Sequence, residues 1–403
     1  MPLQFRTPGV YIQEVSTGPR PIQPVGTSTA AFLGVAPSQN AHLKEAFAVN
    51  DWSQFEREFI GDEKQSTDLA LAVYGFFLNG GSRCYIVNLG SDGTLEGTEN
   101  PRSGLRLLEP LKEVAIVAAP GYTKAGDYAA VIAHCSNLKD RVAILDAPLT
   151  VPHTESLTVI ATETGADKTP VPGSDKSALV GAKPSPTDFA TFYFPGIGVR
   201  DPLAGPKESV VDTYPSGFVA GIWARTDAER GVQKAPANEV VRGALRLTYL
   251  VTHKEQEALN DAGVNVIRFF PREGIRVWGA RTLEPDSDFK YLNVRRLFVM
   301  VEQSIANSLR WAVFEPNDES LWKSIARDAT AFLTLLWRDG ALLGATPEEA
   351  FFVKCDREVN TNELIDAGIV MCLIGIAAVK PAEFIVFRIG QHASGAQIET
   401  LMR

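Results

Sequence analysis

Five histidines, four cysteines and a few serine- and glycine-bearing turns are where this sequence could do chemistry, and they form no recognised catalytic pattern. His42, His134, His153, His253 and His392 never fall four residues apart or beside a second ligand type at metal spacing, so each reads as an isolated surface or core histidine. Cys84, Cys135, Cys355 and Cys372 are far apart in sequence and form no CxxC pair; they read as buried reduced thiols rather than zinc ligands or a redox motif. A serine nucleophile elbow needs GxSxG and a phosphate cradle needs GxxxxGK[ST]; the sequence has neither. Gly196-Ile197-Gly198 lacks a third glycine, is flanked by Pro195 and Pro202, and reads as a turn. Glu348 and Glu349 follow Pro347, where acidic residues favour a helix start, so that carboxylate pair reads as capping. The residues therefore point to no metal, no cofactor and no catalytic site.

Composition bounds the rest. A chain of 403 residues with 45% hydrophobic and 22% charged residues is long enough for two or three domains with a sizeable core. The net charge of -9 argues against nucleic acid, which clustered Lys and Arg would bind. The nearly apolar run Gly368 to Val379 ends at Lys380, short of the ~20 residues that span a bilayer, so no membrane insertion is expected. The N-terminus has no apolar segment behind a basic start, which predicts synthesis and folding in the cytoplasm.

The elements predict an α/β (α+β) fold of two α/β domains, with an exposed insertion and extended arms at both ends. Residues 1–20 form the first arm: Pro2, Pro8, Pro19 and Pro21 deny it helix and bracket one strand, Val10, Tyr11, Ile12, Gln13, Glu14, Val15. Residues 21–188 alternate strand-like and helix-like runs. Ala30 to Val35, Cys84 to Leu89, Val114 to Ala118 and Val142 to Leu145 alternate with Trp52 to Phe59, Asp68 to Leu78, Leu105 to Leu111 and Tyr128 to Leu138. That order predicts a partly parallel sheet covered on both faces. A Pro/Ser-rich insertion covers about 150–188, with only Leu157 to Ala161 strand-like.

In the second domain, 189–382, Asn293 is read as the cap of a helix ending near Leu309, before a strand-like Trp311 to Phe314. Another helix starts after Asn317 and Asp318 and stops at Gly340, burying Leu321, Trp322, Ile325, Ala329, Phe332, Leu333 and Leu336. Its other side carries Lys323, Arg327, Thr330, Thr334 and Arg338, a mostly basic stripe that in most helices is simply solvated. Residues 383–403 form the second arm, with a strand at Phe384, Ile385, Val386, Phe387, Arg388, Ile389.

Against this background the sequence resembles the contractile tail sheath proteins of phages, R-type bacteriocins and extracellular injection systems of the antifeeding-prophage type. The resemblance begins at Thr7-Pro8-Gly9-Val10-Tyr11 and Ala31-Phe32-Leu33-Gly34-Val35, and strengthens at Pro215-Ser216-Gly217 and Val219-Ala220-Gly221. It is most specific in Ala224-Arg225-Thr226-Asp227-Ala228-Glu229-Arg230-Gly231, Lys234-Ala235-Pro236-Ala237-Asn238 and Val277-Trp278-Gly279-Ala280-Arg281-Thr282-Leu283. Tyr291, Asn293 to Leu297, Phe314 to Asp318, Trp337 to Gly344 and Pro381-Ala382-Glu383-Phe384 continue it. About half the chain, mostly Phe189 to Ile389, carries it, whereas residues 36–188 match only in broad pattern.

The resemblance implies a structural subunit with no catalytic role. It would polymerise helically around an inner tube, the arms adding strands to neighbouring copies, and then contract from a metastable extended state to drive the tube through a target envelope. The implied partners are further copies of the chain, the inner tube protein, sheath paralogues, and baseplate and cap proteins. The particle would be assembled in the bacterial cytoplasm and released extracellularly. Lys323, Arg327 and Arg338 are the candidate tube-facing residues, an adjacent sheath copy being the other possible contact. A sheath-like baseplate or cap component and a soluble α/β enzyme are the rival readings, distinguished by ring assembly and by small-molecule activity.

Overall fold

Near-continuous apolar pentads build the centre of the molecule. A computed structural model of the chain describes residues 21–63, 65–91, 93–162, 180–204, 209–284 and 288–385. The expected strand Val10 to Val15, and Val386 to Ile389 of the second arm, lie outside the described residues. The strands are β1 (Ala30–Gly34), β2 (Phe47–Val49), β3 (Cys84–Asn88), β4 (Ile116–Ala118), β5 (Val142–Asp146), β6 (Ala190–Phe194), β7 (Ile197–Arg200), β8 (Val210–Thr213), β9 (Glu239–Val240), β10 (Ala244–Leu247), β11 (Val264–Phe270), β12 (Gly274–Val277), β13 (Phe351–Lys354) and β14 (Leu373–Ile376). The helices are α1 (Trp52–Phe55), α2 (Asp68–Leu78), α3 (Ala125–Leu138), α4 (Ser216–Arg230), α5 (His253–Asp261), α6 (Leu292–Ser308), α7 (Glu319–Arg338), α8 (Pro347–Ala350) and α9 (Asn362–Asp366).

Nine strands form one sheet in the order β2-β3-β1-β4-β5-β6-β11-β12-β9. The run β3-β1-β4-β5-β6-β11 is parallel, with antiparallel β2 at one edge and antiparallel β12 and β9 at the other. Every residue of β1, β3, β4, β5 and β6 is buried, as a sheet covered on both faces requires. Because β6 pairs with β5, the sheet runs across residues 188/189, where the sequence reading put a boundary. Smaller sheets, β10-β7-β8 and β13-β14, flank it.

The glycines of the Pro215–Gly221 motif explain the packing of one face. A Cβ on Gly217 would stand 2.2 Å from the Ala72 carbonyl oxygen and one on Gly221 2.4 Å from that of Phe76. Reciprocally, a Cβ on Gly75 would stand 2.3 Å from the Phe218 ring. Helices α2 and α4 therefore touch backbone to backbone, sealing a core around Phe32, Phe76, Phe218 and Trp223. Each such fully buried side chain contributes roughly 1.5–3 kcal/mol. Asp146, at the end of β5, accepts from the Ser216 amide (2.8 Å) and hydroxyl (2.6 Å), capping α4. Burial pushes this carboxyl up to about 7.

Several local expectations are corrected. Leu157 to Ala161 is strand-like only in its second half: Thr154–Thr158 is a 3-10 turn, where Ser156 and Thr158 hydroxyls donate to the His153 and Glu155 carbonyls, while Ile160 makes a parallel bridge to Lys183. Trp311 to Phe314 is no strand either, because Arg310–Ala312 is a 3-10 turn and Phe314 takes a left-handed φ of 69°. Leu105 to Leu111 shortens to a 3-10 turn at Gly104–Leu108. Ile197 and Gly198 belong to β7, not to a turn. Asn293 does not cap its helix: it is the second residue of α6, and Tyr291 occupies the N-cap position without a side-chain capping bond. Glu383 to Ile385, the described part of the second arm, are not in a strand within the single chain, which leaves pairing with a neighbouring copy untouched; Phe384 and Ile385 are 73% and 75% exposed.

Buried Arg141 organises the end of α3, donating to Asp140 and to the carbonyls of Leu108 and Leu111. Burial, and then the adjacent Arg141 charge, pushes His134 down to about 4. In an unfolded chain this imidazole titrates near 6.5, so as pH falls from about 6.5 to 4 the unfolded state binds a proton that the native state refuses. We expect stability to fall across that window by on the order of 2–3 kcal/mol through this residue. Urea unfolding should show the gap between the protein and His134→Gln changing across it; a gap independent of pH would refute the assignment.

Candidate functional site: the roots of the two arms

The segment that follows the first arm lies along α6. The Gln23 amide donates to Ser308 Oγ (3.2 Å), the Val25 amide to Ser304 Oγ (3.0 Å), and the Thr27 carbonyl accepts from Arg296 Nη2 (3.0 Å). Residues 23, 25 and 27 alternate with the period of extended backbone, while 308 and 304 are one helical turn apart, so chain and helix run antiparallel. Ile22 is buried in the cluster that includes Met300, Val301 and Phe332.

Arg296 is itself deeply held. Its guanidinium donates to both oxygens of Asp227, at 2.9 and 2.5 Å, and lies 4.7 Å from the Trp223 ring centroid. Thr27 Oγ1 donates to the same carboxylate at 2.6 Å. The first arm thus emerges from a buried ion pair that joins α4 to α6.

The second arm leaves from Glu383. Its carboxylate accepts from Arg281 Nε (2.9 Å) and Nη2 (2.7 Å), from Asn260 Nδ2 (3.1 Å) and from the Tyr291 hydroxyl (3.3 Å). Partial burial pushes this carboxyl up, but the bonds from Arg281, Asn260 and Tyr291 outweigh it and hold it below its ordinary value. Just upstream, Asn293 Nδ2 donates to the carbonyls of Val379 (3.0 Å) and Gln233 (2.8 Å). One helix therefore grips the approach to the second arm at its first turn and the approach to the first arm at its last. Asn293 and Ser308, fifteen residues apart, lie about 22 Å apart along the axis.

These contacts account for the motif residues singled out above. Asp227 pairs with Arg296, Arg281 with Glu383, Arg225 donates to the Asn79 (2.9 Å) and Val240 (3.0 Å) carbonyls, and Lys234 Nζ to those of Ala235 (2.6 Å) and Ala237 (3.2 Å). They are internal ties, and they hold no ligand chemistry. Sequence reasoning missed these pairings, together with Ser304 and Ser308; the one available signal was the adjacent Arg295 and Arg296 on a helix otherwise patterned for burial.

On α7 the expected apolar side is buried, Leu336 only partly, and Lys323, Arg327 and Arg338 are exposed. The stripe is less basic than it reads: Lys323 pairs with Glu319 (3.3 Å) and Arg327 with Asp328 (3.0 Å). Arg338 makes no ion pair among the described residues.

Comparison with known proteins agrees with this architecture. The phage tail sheath protein central domain matches residues 111–283 and the phage tail sheath C-terminal domain residues 284–391. The sheath of the PVC extracellular contractile injection system, solved in its contracted state, superposes with a TM-score of 0.77 at 30% identity, over 97% of this chain and 99% of that one. The chain belongs to the contractile tail sheath family. The contracted helical sheath of the anti-feeding prophage is similar to this sheath-family chain with a TM-score of 0.73 at 28% identity, over 96% and 100% of the two chains. A prophage major tail sheath protein of Pseudomonas aeruginosa (strain UCBPP-PA14) is 28% identical over 241 residues, 58% of each chain. The match thus spans little more than half the length of that curated relative. In this sheath-family chain the two arm-root ion pairs, Asp227–Arg296 and Arg281–Glu383, cross the 283/284 boundary between the two matched domains.

Proposed function

We propose that the chain is a structural subunit of a contractile sheath, polymerising helically around an inner tube and contracting from an extended state to drive that tube through a target envelope. The observation that carries this reading is the pair of arm roots clamped to α6. A chain whose ends are tied this firmly at the root, with exposed apolar residues where the second arm departs, is built to transmit load into neighbours. A strand donated head to tail makes a contact that does not close and so propagates as a helix.

The strands in this reading are Val10 to Val15 and Phe384 to Ile389. Sheet β13-β14 supports the reading as their receiver: among the described residues it has two strands, packed on α7 through Phe351, and it exposes Phe352 and Leu373. Partners are further copies, the inner tube protein, sheath paralogues, and baseplate and cap proteins. Assembly takes place in the bacterial cytoplasm, and the finished particle acts outside the cell.

Lys323, Arg327 and Arg338 on α7 face the tube in this account. Exposed pairs such as Lys323–Glu319 are worth at most about 1 kcal/mol, which suits a contact that must release during the stroke. Changing all three to Glu should leave thermal unfolding within a few degrees of the parent while sharply reducing the protein that pellets with preformed inner tubes. Unchanged tube-templated pelleting would remove this face from the account.

A further inference from the structure

The register of β13 and β14 brings together two cysteines that the sequence holds apart. Phe351 pairs with Ile376 and Lys354 with Leu373, so one step further sets Cys355 opposite Cys372. The Ala377 amide donates to the Ala350 carbonyl at 2.8 Å, which makes 350/377 a hydrogen-bonded pair. Such pairs alternate with non-hydrogen-bonded ones, and 355/372 falls in the second class, whose α-carbons approach to about 4.5 Å. That separation lies inside the span of a disulfide, about 4.4–6.8 Å. Each thiol is close enough to perturb the titration of the other.

The surroundings fix this geometry. Cys355 is buried with Leu321, Trp322 and Ile325 of α7, while Cys372 is partly exposed. Asn360 ties down the neighbouring residue: its Nδ2 donates to the Met371 carbonyl (3.0 Å) and its Oδ1 accepts from the Met371 amide (2.7 Å). The other cysteines are remote from this pair and from each other, Cys84 in the core on one side of the sheet and Cys135 in the core on the other.

We propose that Cys355 and Cys372 are an intramolecular dithiol–disulfide couple that staples the β13-β14 hairpin when the chain meets a small disulfide oxidant. Cys372, the more exposed of the two residues, attacks the oxidant as thiolate and releases one small thiol. Cys355 then displaces the second small thiol from the mixed disulfide. Two protons and two electrons leave the protein on the two released thiols, and one S–S bond is exchanged for another. Burial pushes both thiols up, Cys372 to about 12, so the exchange is slow at neutral pH. The staple's bearing on assembly rests on the reading that this hairpin receives the arms; the couple itself does not.

The test is made on the full-length, unassembled chain, so failure of the couple and failure of the arm reading are separable. After prolonged incubation with oxidised glutathione, blocking and denaturation, the four free thiols should fall to two. Peptide mapping should find Cys355 joined to Cys372, and a non-reducing gel should show only monomer. Cys355→Ser and Cys372→Ser should each keep their three remaining thiols, with Cys355→Ala and Cys372→Ala as second variants should serine disturb the buried site. Retention of four thiols, or a bridge to Cys84, Cys135 or a second chain, would overturn the proposal.

Discussion

Replacing Arg296 with alanine should destabilise the isolated chain by about 3–5 kcal/mol, the range for removing one partner from a buried ion pair. Arg296 and Asp227 are both almost wholly buried, and Asp227 would keep only the Thr27 hydroxyl as partner. The lost cation also leaves the Trp223 face and the Thr27 carbonyl without their contact. Against a total stability of roughly 5–15 kcal/mol this is a large fraction. Asp227→Ala should cost a comparable amount, and the double variant less than the sum, because each single change strands the other charge. Urea denaturation of the four proteins checks this; additive losses, or a loss below about 1 kcal/mol for Arg296→Ala, would show that the pair is not the tie described.

Deleting residues 1–15 should have the opposite signature, with stability retained and assembly lost. The described body begins at Pro21, and its contacts with α6 start at Ile22 and Gln23, so the deletion leaves the clamp intact. It removes the strand that, in the proposed function, joins a neighbour. The truncated chain should unfold with the parent's midpoint and stay in the supernatant where the parent pellets. If it pellets as well as the parent, strand donation by the first arm is wrong.

Much of the framework was legible because local patterning and tertiary demand coincide. Asp68–Leu78 and Glu319–Arg338 begin at capping side chains, Thr67 and Asp318, and both were bounded correctly from sequence. Asn293 misled because a good capping residue was spent on a long-range task, bonding Gln233 and Val379, while Tyr291 ended the non-helical chain. Trp311 to Phe314 misled because aromatic and branched residues favour strands only beside a partner strand, and this segment instead turns sharply into α7. The site was legible as motif words and not as contacts. Asp227 lies 69 residues from Arg296, and Arg281 lies 102 from Glu383; no periodicity links residues so far apart. The same distance blindness hid Cys355 opposite Cys372.

The most direct measurement is negative-stain electron microscopy of the full-length protein, alone and with its cognate inner tube protein. Long striated hollow cylinders, sleeving the tube where it is present, are the predicted result. Small discrete particles or closed rings under both conditions would contradict a sheath and return the chain to a baseplate or cap role.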